Sequence, residues 1–168
     1  MTMRLRTSAL LLTAVLALGA CAQGGMRGND VDLNAANSGL GSASDPSSPA
    51  YFNQTIGDRV LFEVDQSSLT AAAQSVLSQQ ATWLLSNPEY SALIEGHADE
   101  QGTREYNLAL GARRAAAVRD YLSSQGVPDS RLRTISYGKE RPLEICSAEA
   151  CYQQNRRAVT VVSAGLGA

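Results

Sequence analysis

An acid, an amide and an arginine stand at spacings that suit the binding of a small zwitterion. Asp99 lies on a short acidic stretch, and Asn107 and Arg114 follow it on one predicted helix. Because Asn107 and Arg114 are seven positions apart, about two helical turns, they project from nearly the same face. A carboxylate binds an ammonium group, and a guanidinium binds a carboxylate through two parallel hydrogen bonds. The pattern therefore predicts a site for a molecule that carries both charges.

The same residues also fit a structural arrangement without a ligand. Asp99 could form a plain ion pair with Arg114 or with the neighbouring Arg113. His97, the single histidine of the chain, falls at the end of a predicted strand. That position is more typical of a hydrogen-bonded structural histidine than of a catalytic base.

The N-terminus has the pattern of a secretory signal that ends at Cys21. A basic start precedes a run of apolar residues from 9 to 20, which is shorter than the roughly 20 residues needed to cross a bilayer. Leu18-Gly19-Ala20-Cys21 resembles the lipobox of bacterial lipoproteins, in which the cysteine thiol receives a diacylglycerol and becomes the mature N-terminus. Ordinary cleavage is the alternative, because Ala20-Cys21-Ala22 also fits an A-x-A site. We predict a signal peptide at residues 1–20 and lipidation of Cys21.

The other two cysteines, Cys146 and Cys151, are close enough in sequence to form a disulfide. An exported chain with three cysteines leaves one odd thiol, and lipidation of Cys21 removes it. A bridge would close a small ring and contribute about 2 kcal/mol in the chain-entropy model. Two free buried thiols are the alternative. We expect no metal and no cofactor, since one histidine gives no four-ligand set with zinc spacing.

Composition limits the kinds of partner and the domain organisation that the chain can have. The formal net charge is -2 and aromatic residues make up 5% of the chain, so we expect no nucleic-acid partner. Residues 21–50 are rich in Gly, Asn and Ser without a regular apolar period, which predicts a disordered linker after the lipidated cysteine. Residues 51–168 are the right size for one compact domain.

The coarse element order predicts an α/β sandwich, β-α-β-α-β-β, with a small mixed sheet packed by helices. Thr70 and Thr103 are the predicted N-caps of its two helices. The last strand is nearly continuous in apolar residues, as expected of a central strand covered on both faces. The predicted elements are strands at 59–64, around 93–94, 132–137 and 158–162, helices at about 70–85 and 104–124, and a long loop that holds Pro142 and the cysteine pair.

Long ordered blocks of the chain resemble the peptidoglycan-associated lipoprotein family, whose folded part is an OmpA-like domain. The main block is Gly96-His97-Ala98-Asp99-Glu100-Gln101-Gly102-Thr103-Arg104-Glu105-Tyr106-Asn107-Leu108, followed by Leu110-Gly111-Ala112-Arg113-Arg114-Ala115. Residues 136–142 and 155–159 extend the resemblance, which covers the chain from about 60 to 162.

The resemblance implies a non-enzymatic domain that binds meso-diaminopimelate in the stem peptides of peptidoglycan. In the family, the acid at Asp99 and the arginine at Arg114 grip the free amino-acid end of that residue. Asp65 and the backbone near Leu110 are further expected contacts, and Asn107 belongs to the same predicted site. Gln101 departs from the family, which often carries Arg there.

The resemblance also implies a location and a second partner. The expected protein is anchored in the outer membrane by lipid, holds its domain in the periplasm, and tethers the membrane to the cell wall. TolB of the Tol complex is the expected protein partner. Ala22 stands where the family's inner-membrane retention signal would be Asp.

Two other functions also fit the sequence. One is an OmpA-like lipoprotein that binds the cell wall without a TolB partnership. The other is a cell-wall hydrolase that uses His97, Asp99 and Glu100. It is disfavoured, because two adjacent carboxylates on one loop are poorly arranged to flank a glycosidic bond and the sequence has no recognisable nucleophile motif.

Overall fold

The computed structural model describes residues 40–165. Within this range, four helices and four strands form one mixed α/β domain, so the predicted fold class is confirmed. A π-helical stretch, Phe52–Gly57, follows the first helix, and a 3-10 turn, Asp129–Arg131, precedes the third strand. In chain order the elements are α1 Pro49–Tyr51, β1 Arg59–Leu61, α2 Ala71–Ser86, β2 Tyr90–His97, α3 Arg104–Ser124, β3 Leu132–Gly138, α4 Glu149–Asn155 and β4 Arg157–Ala164.

The sheet has the order β1-β4-β2-β3. β4 runs antiparallel to both of its neighbours, whereas β2 and β3 are parallel. The last strand is therefore central, as predicted. It is covered on one face only: Ala158 and Val162 enter the core, while Val161 is 41% exposed on the other face. The expectation of cover on both faces was wrong, because β4 shares one core with α2 and α3 and its alternate residues face away from that core.

The two long helices begin where their caps predict. The hydroxyl of Thr70 accepts a hydrogen bond from the backbone N–H of Ala73, and that of Thr103 accepts one from Tyr106. Each helix buries one stripe at helical spacing in a core shared with the sheet. The stripe of α2 is Ala73, Leu77, Ala81 and Leu84, and that of α3 is Gly111, Ala115, Val118 and Leu122, all of them buried.

Part of the predicted linker is folded. Within residues 40–50, the N–H of Ala50 donates to the carbonyl of Leu40 at 2.9 Å, and the indole N–H of Trp83 donates to the carbonyl of Pro46 at 2.7 Å. Ser48 caps α1 and is 4% exposed. The folded region therefore includes residues 40–50 as well as the predicted domain. None of the helices within residues 40–165 combines the length and apolar composition that crossing a bilayer requires.

Close packing of α3 on β2 sets the position of the site described below. A Cβ atom at Gly96 would overlap the carbonyl oxygen of Gly111, so the strand and the helix meet backbone to backbone. Arg114, three residues after Gly111, reaches the carbonyl of His97 at the end of β2. Two glycines thus bring the helix near enough for its arginine to reach the strand end.

Candidate functional site

The ends of β1 and β2 and the start of β4 meet at one edge of the sheet. Because β2 and β4 are antiparallel, Gly96 at the end of β2 pairs with Ala158 near the start of β4. Leu61, the last residue of β1, pairs with Arg157. The acidic loop, residues 98–103, leaves β2 here and enters α3. Residues 62–66 leave β1 at the same place, and we call them the cover segment.

Asp99 is a buried carboxylate on the acidic loop. It is 8% exposed, and its Oδ1 accepts a hydrogen bond from the N–H of Gln101 at 3.2 Å. Its Oδ2 accepts from Nη1 of Arg156 at 3.2 Å. Neither ion pair that the sequence left open is formed, because the guanidinium that Asp99 meets belongs to Arg156.

Arg114 lies beneath the cover segment and its side chain is 0% exposed. Its Nε and Nη2 donate to the carbonyls of Gln66 and Glu63 at 2.8 and 3.2 Å, and its Nη1 donates to the carbonyl of His97 at 2.8 Å. Burial lowers the pKa of Arg114 to about 10, despite the opposing effect of the Asp99 charge. These carbonyl groups do not neutralise the charge of Arg114. No carboxylate among the described residues forms an ion pair with it.

Asn107 and Leu110, the other two predicted contacts on α3, are both buried. Asn107 is 1% exposed, and its Nδ2 donates to the carbonyl of Gln101 at 2.7 Å. That bond supports the acidic loop from below. Leu110 is 4% exposed.

Asp65, the remaining predicted contact, lies on the cover segment in a left-handed conformation with a φ of 58°. Its Oδ1 accepts a hydrogen bond from the hydroxyl of Tyr106 on α3. This bond to a carboxylate raises the pKa of the tyrosine. The structure thus brings Asp65 to the same edge of the sheet as Asp99 and Arg114, and an exposed ring from α3 lies beside it.

Arg156 is a site residue that the sequence reasoning did not single out. It is 3% exposed, and its guanidinium contacts Asp99, the carbonyl of Phe62 and the carboxylate of Glu149. Burial acts to lower the pKa of Arg156, but its bonds to Glu149 and Asp99 outweigh burial and raise it. One feature of the sequence could have indicated it. The pair Arg156-Arg157 stands where an apolar strand begins, and charged residues are rarely fully buried unless they are paired.

The predicted long loop after β3 contains a short helix, α4, which the sequence did not indicate. Cys146 and Cys151 are joined in a disulfide, with their Cα atoms 5.9 Å apart, and neither cysteine is buried. Residues 146–152, the disulfide segment, reach the acidic loop: Ser147 and Tyr152 donate hydrogen bonds to Glu100 at 2.9 and 3.0 Å. The acidic loop is thus held by the disulfide segment as well as by Asn107 of α3.

His97 is buried at 2% exposure, and neither ring nitrogen has a hydrogen-bond partner among residues 40–165. The expectation of a hydrogen-bonded histidine was therefore wrong. The nearest carboxylate is that of Glu95, 3.7 Å from Nε2, and the ring of Tyr137 lies beside it. Burial, followed by the charges of Arg157 and Arg141, lowers the pKa of His97 to about 4. A neutral, enclosed ring at the strand end fills space and does not face a substrate.

Cys21, the predicted lipidation site, lies outside the described residues. Across residues 40–165, no three His, Cys, Asp or Glu side chains are grouped so that they would hold a metal ion.

Comparison with known proteins identifies the family. The OmpA family matches residues 61–157. A peptidoglycan-associated lipoprotein of Brucella melitensis is 54% identical over 92% of this chain and 90% of its own length. The homologue from Haemophilus influenzae is 39% identical over 90% of this chain and 94% of its own length.

Solved structures agree with the sequence matches. The peptidoglycan-associated lipoprotein from Burkholderia pseudomallei superposes with a TM-score of 0.64, at 43% identity, over 72% of this chain and 98% of that one. The C-terminal domain of Helicobacter pylori MotB shares the fold at 20% identity, with a TM-score of 0.60, over 65% of this chain and 86% of that one. The chain belongs to the OmpA family, and within it to the peptidoglycan-associated lipoproteins.

Proposed function

We propose that this protein is an outer-membrane lipoprotein whose domain binds peptidoglycan non-covalently. The proposed ligand is the free amino-acid end of meso-diaminopimelate in a stem peptide. The observation that carries the proposal is the presence at one edge of the sheet of a buried carboxylate, Asp99, and a buried guanidinium, Arg114, which has no carboxylate partner among the described residues. A ligand with one ammonium and one carboxylate supplies the two charges that this arrangement can accept.

In the proposed complex, the ammonium group lies against Asp99, which is already fixed by the N–H of Gln101. The ligand carboxylate lies against Arg114, whose five N–H donors make three bonds to carbonyls in the free protein. Because Arg114 is sealed by the carbonyls of Glu63 and Gln66, the cover segment has to shift before the ligand reaches it. Asp65, on that segment, would then approach the ligand together with the backbone near Leu110.

A non-enzymatic role is part of the proposal. Asp99 is held by hydrogen bonds to Gln101 and Arg156, and His97 is enclosed with a pKa of about 4. Groups in these states suit ligand binding better than proton transfer near neutral pH.

Lipidation of Cys21 would anchor the chain in the outer membrane and make it a tether between that membrane and the cell wall. Acyl chains on one residue and the folded domain would then bind two separate layers of the envelope. We propose that the tether works within the Tol-Pal system, with TolB as its protein partner, in envelope integrity and cell division. Support for this part comes from the resemblance of residues 96–115 and from the family membership. Cross-linking in cells tests it: a product with TolB supports the partnership, and binding to sacculi without such a product leaves a cell-wall tether alone.

Sedimentation with isolated sacculi tests the binding function. The wild-type chain should pellet with sacculi, and Asp99→Asn should remain in the supernatant. Asp120→Asn is a matched control, because that acid lies at the far end of α3 and pairs with Arg119. Equal pelleting of all three proteins would contradict the proposed site, and no pelleting of the wild type would contradict the function.

A further inference from the structure

The second buried guanidinium of the site, Arg156, is bonded to a carboxylate that is exposed to solvent. Arg156 itself is 3% exposed, whereas the side chain of its partner Glu149 is 66% exposed. Nη1 of Arg156 lies 3.2 Å from Asp99 and 3.5 Å from Glu149, and Nη2 bonds to Glu149 as well. The guanidinium therefore contacts one buried acid, Asp99, and one solvent-exposed acid, Glu149.

The two carboxylates around Arg156 differ in how firmly they are held. Asp99 has a second partner, the N–H of Gln101, within its own loop. Glu149 has no hydrogen bond to any described residue except Arg156. An ion pair with an exposed acid is weak, because water solvates the acid once it has separated. Glu149 can therefore leave Arg156 at a small cost to itself.

Arg156, in contrast, is buried and would keep Asp99 as its one carboxylate partner among the described residues. A buried guanidinium that loses a carboxylate keeps its desolvation penalty, so the loss is strongly unfavourable unless another anion takes its place. An incoming carboxylate that replaces Glu149 leaves the number of ion pairs at Arg156 unchanged. The exchange therefore avoids the free-energy cost of leaving this buried guanidinium with one carboxylate fewer.

From these contacts we infer that Arg156 is a further ligand-binding residue of the site, and that Glu149 occupies its anion position in the free protein. The ligand carboxylate displaces Glu149 and binds between Arg156 and Arg114. This inference rests on the proposed function, and it adds a second guanidinium to the carboxylate side of the site. The occupant is an amino acid whose ammonium and carboxylate are both free.

The disulfide segment fits this role. It contains Glu149, and Cys151 ties the first turn of α4 to Cys146. Ser147 and Tyr152 hold the same segment on Glu100 of the acidic loop. Glu149 is thus kept beside the site when its carboxylate has been displaced, and it returns to Arg156 when the ligand leaves.

Calorimetric titration of the full chain in detergent, with a muropeptide whose stem carries meso-diaminopimelate, tests the inference. Glu149→Gln removes the competing charge and should tighten binding by about two- to five-fold. Glu144→Gln makes the same change of charge on an exposed residue of the same loop, with no side-chain contact to the site, and should bind as the wild type does. With a muropeptide in which the free-end carboxylate is a carboxamide, Glu149→Gln should bring no gain.

The outcomes separate this inference from the proposed function. A structural role for Glu149 predicts weaker binding in Glu149→Gln, because it loosens α4, and that result would overturn the inference. Binding equal to wild type in Glu149→Gln would also overturn it, while the proposed function stands if Asp99→Asn still loses the muropeptide. Absence of binding by the folded wild type would overturn both.

Discussion

Nη1 of Arg156 lies 3.2 Å from Oδ2 of Asp99, although the two residues are 57 positions apart in the chain. This contact joins the acidic loop after β2 to the residue that precedes β4. It also gives the predicted ligand-binding acid a partner different from the arginine expected on α3. The site is therefore formed by charges from three separate segments, and the geometry of the sheet edge brings them together.

Substitution of Gly96 tests the close packing that positions this edge. Gly96→Ala places a Cβ atom on the carbonyl oxygen of Gly111, so α3 has to move away from β2. We expect the free energy of unfolding to fall by about 3 kcal/mol, as in other overpacked cores. Denaturant unfolding measures it. Gly126→Ala is the control, since its Cβ meets nothing within 4 Å and only its positive φ is strained. Similar losses in both variants would contradict the packing argument.

Local sequence features were sufficient to predict most of the fold. Thr70 and Thr103 begin α2 and α3 because their hydroxyls bond to the backbone of the next turn, which is a local effect. The strand order β1-β4-β2-β3 was not predicted, since it depends on pairing between distant segments. The sequence predicted disorder for residues 40–50, because the hydrogen bond that joins them to α2, from Trp83 to Pro46, spans 37 positions.

The candidate site was predictable only in part, for a similar reason. Asp99, Arg114 and Asp65 were expected from the family blocks, and all three lie at one edge of the sheet. Arg156 and Glu149 were missed, because Arg156 meets Asp99 only through the fold and Glu149 matters through its bond to Arg156. α4 itself carries no side-chain N-cap, so its beginning left no trace in the sequence.

Removal of the disulfide should lower stability by a measurable amount. Cys146→Ser with Cys151→Ser frees a small ring in the unfolded chain, which costs about 2 kcal/mol of unfolding free energy in the chain-entropy model. Guanidinium chloride unfolding under non-reducing conditions measures the difference. An unchanged midpoint and slope would show that the bridge contributes nothing to the stability of the domain.

His97 should make stability depend on pH in the acidic range. Its pKa is about 4 in the folded protein against 6.5 in the unfolded chain, so the unfolded state binds more protons between these values. The free energy of unfolding is therefore unaffected by His97 above pH 6.5. It falls by about 3 kcal/mol in total as the pH is lowered towards 4.

His97→Phe is the matched variant for this prediction. The ring shape is kept beside Tyr137, and no hydrogen bond is lost because neither ring nitrogen makes one within the described part of the chain. Unfolding free energies at about pH 7.5 and about pH 4 should differ less in the variant than in the wild type. Parallel pH profiles for the two proteins would contradict a neutral, buried His97.

Lipidation of Cys21 is tested by globomycin, which blocks cleavage of lipoprotein signals. The unprocessed precursor should accumulate in treated cells, because the lipoprotein peptidase acts only before a lipidated cysteine. Cys21→Ser should give no lipid-labelled product with or without the drug. Normal processing of the wild type under globomycin would rule out the anchor.

The most direct test of the proposed site is a cycle of two changes measured by calorimetric titration. The full chain and Asp99→Asn are titrated with a meso-diaminopimelate muropeptide and with the same muropeptide acetylated on the free-end amine. Loss of either partner in a buried charge pair should weaken binding by about 30-fold or more. If Asp99 binds that ammonium group, the second loss should add little to the first, because the two groups act as one pair. Losses that add independently, or an Asp99→Asn protein that is folded and binds as the wild type does, would contradict the account.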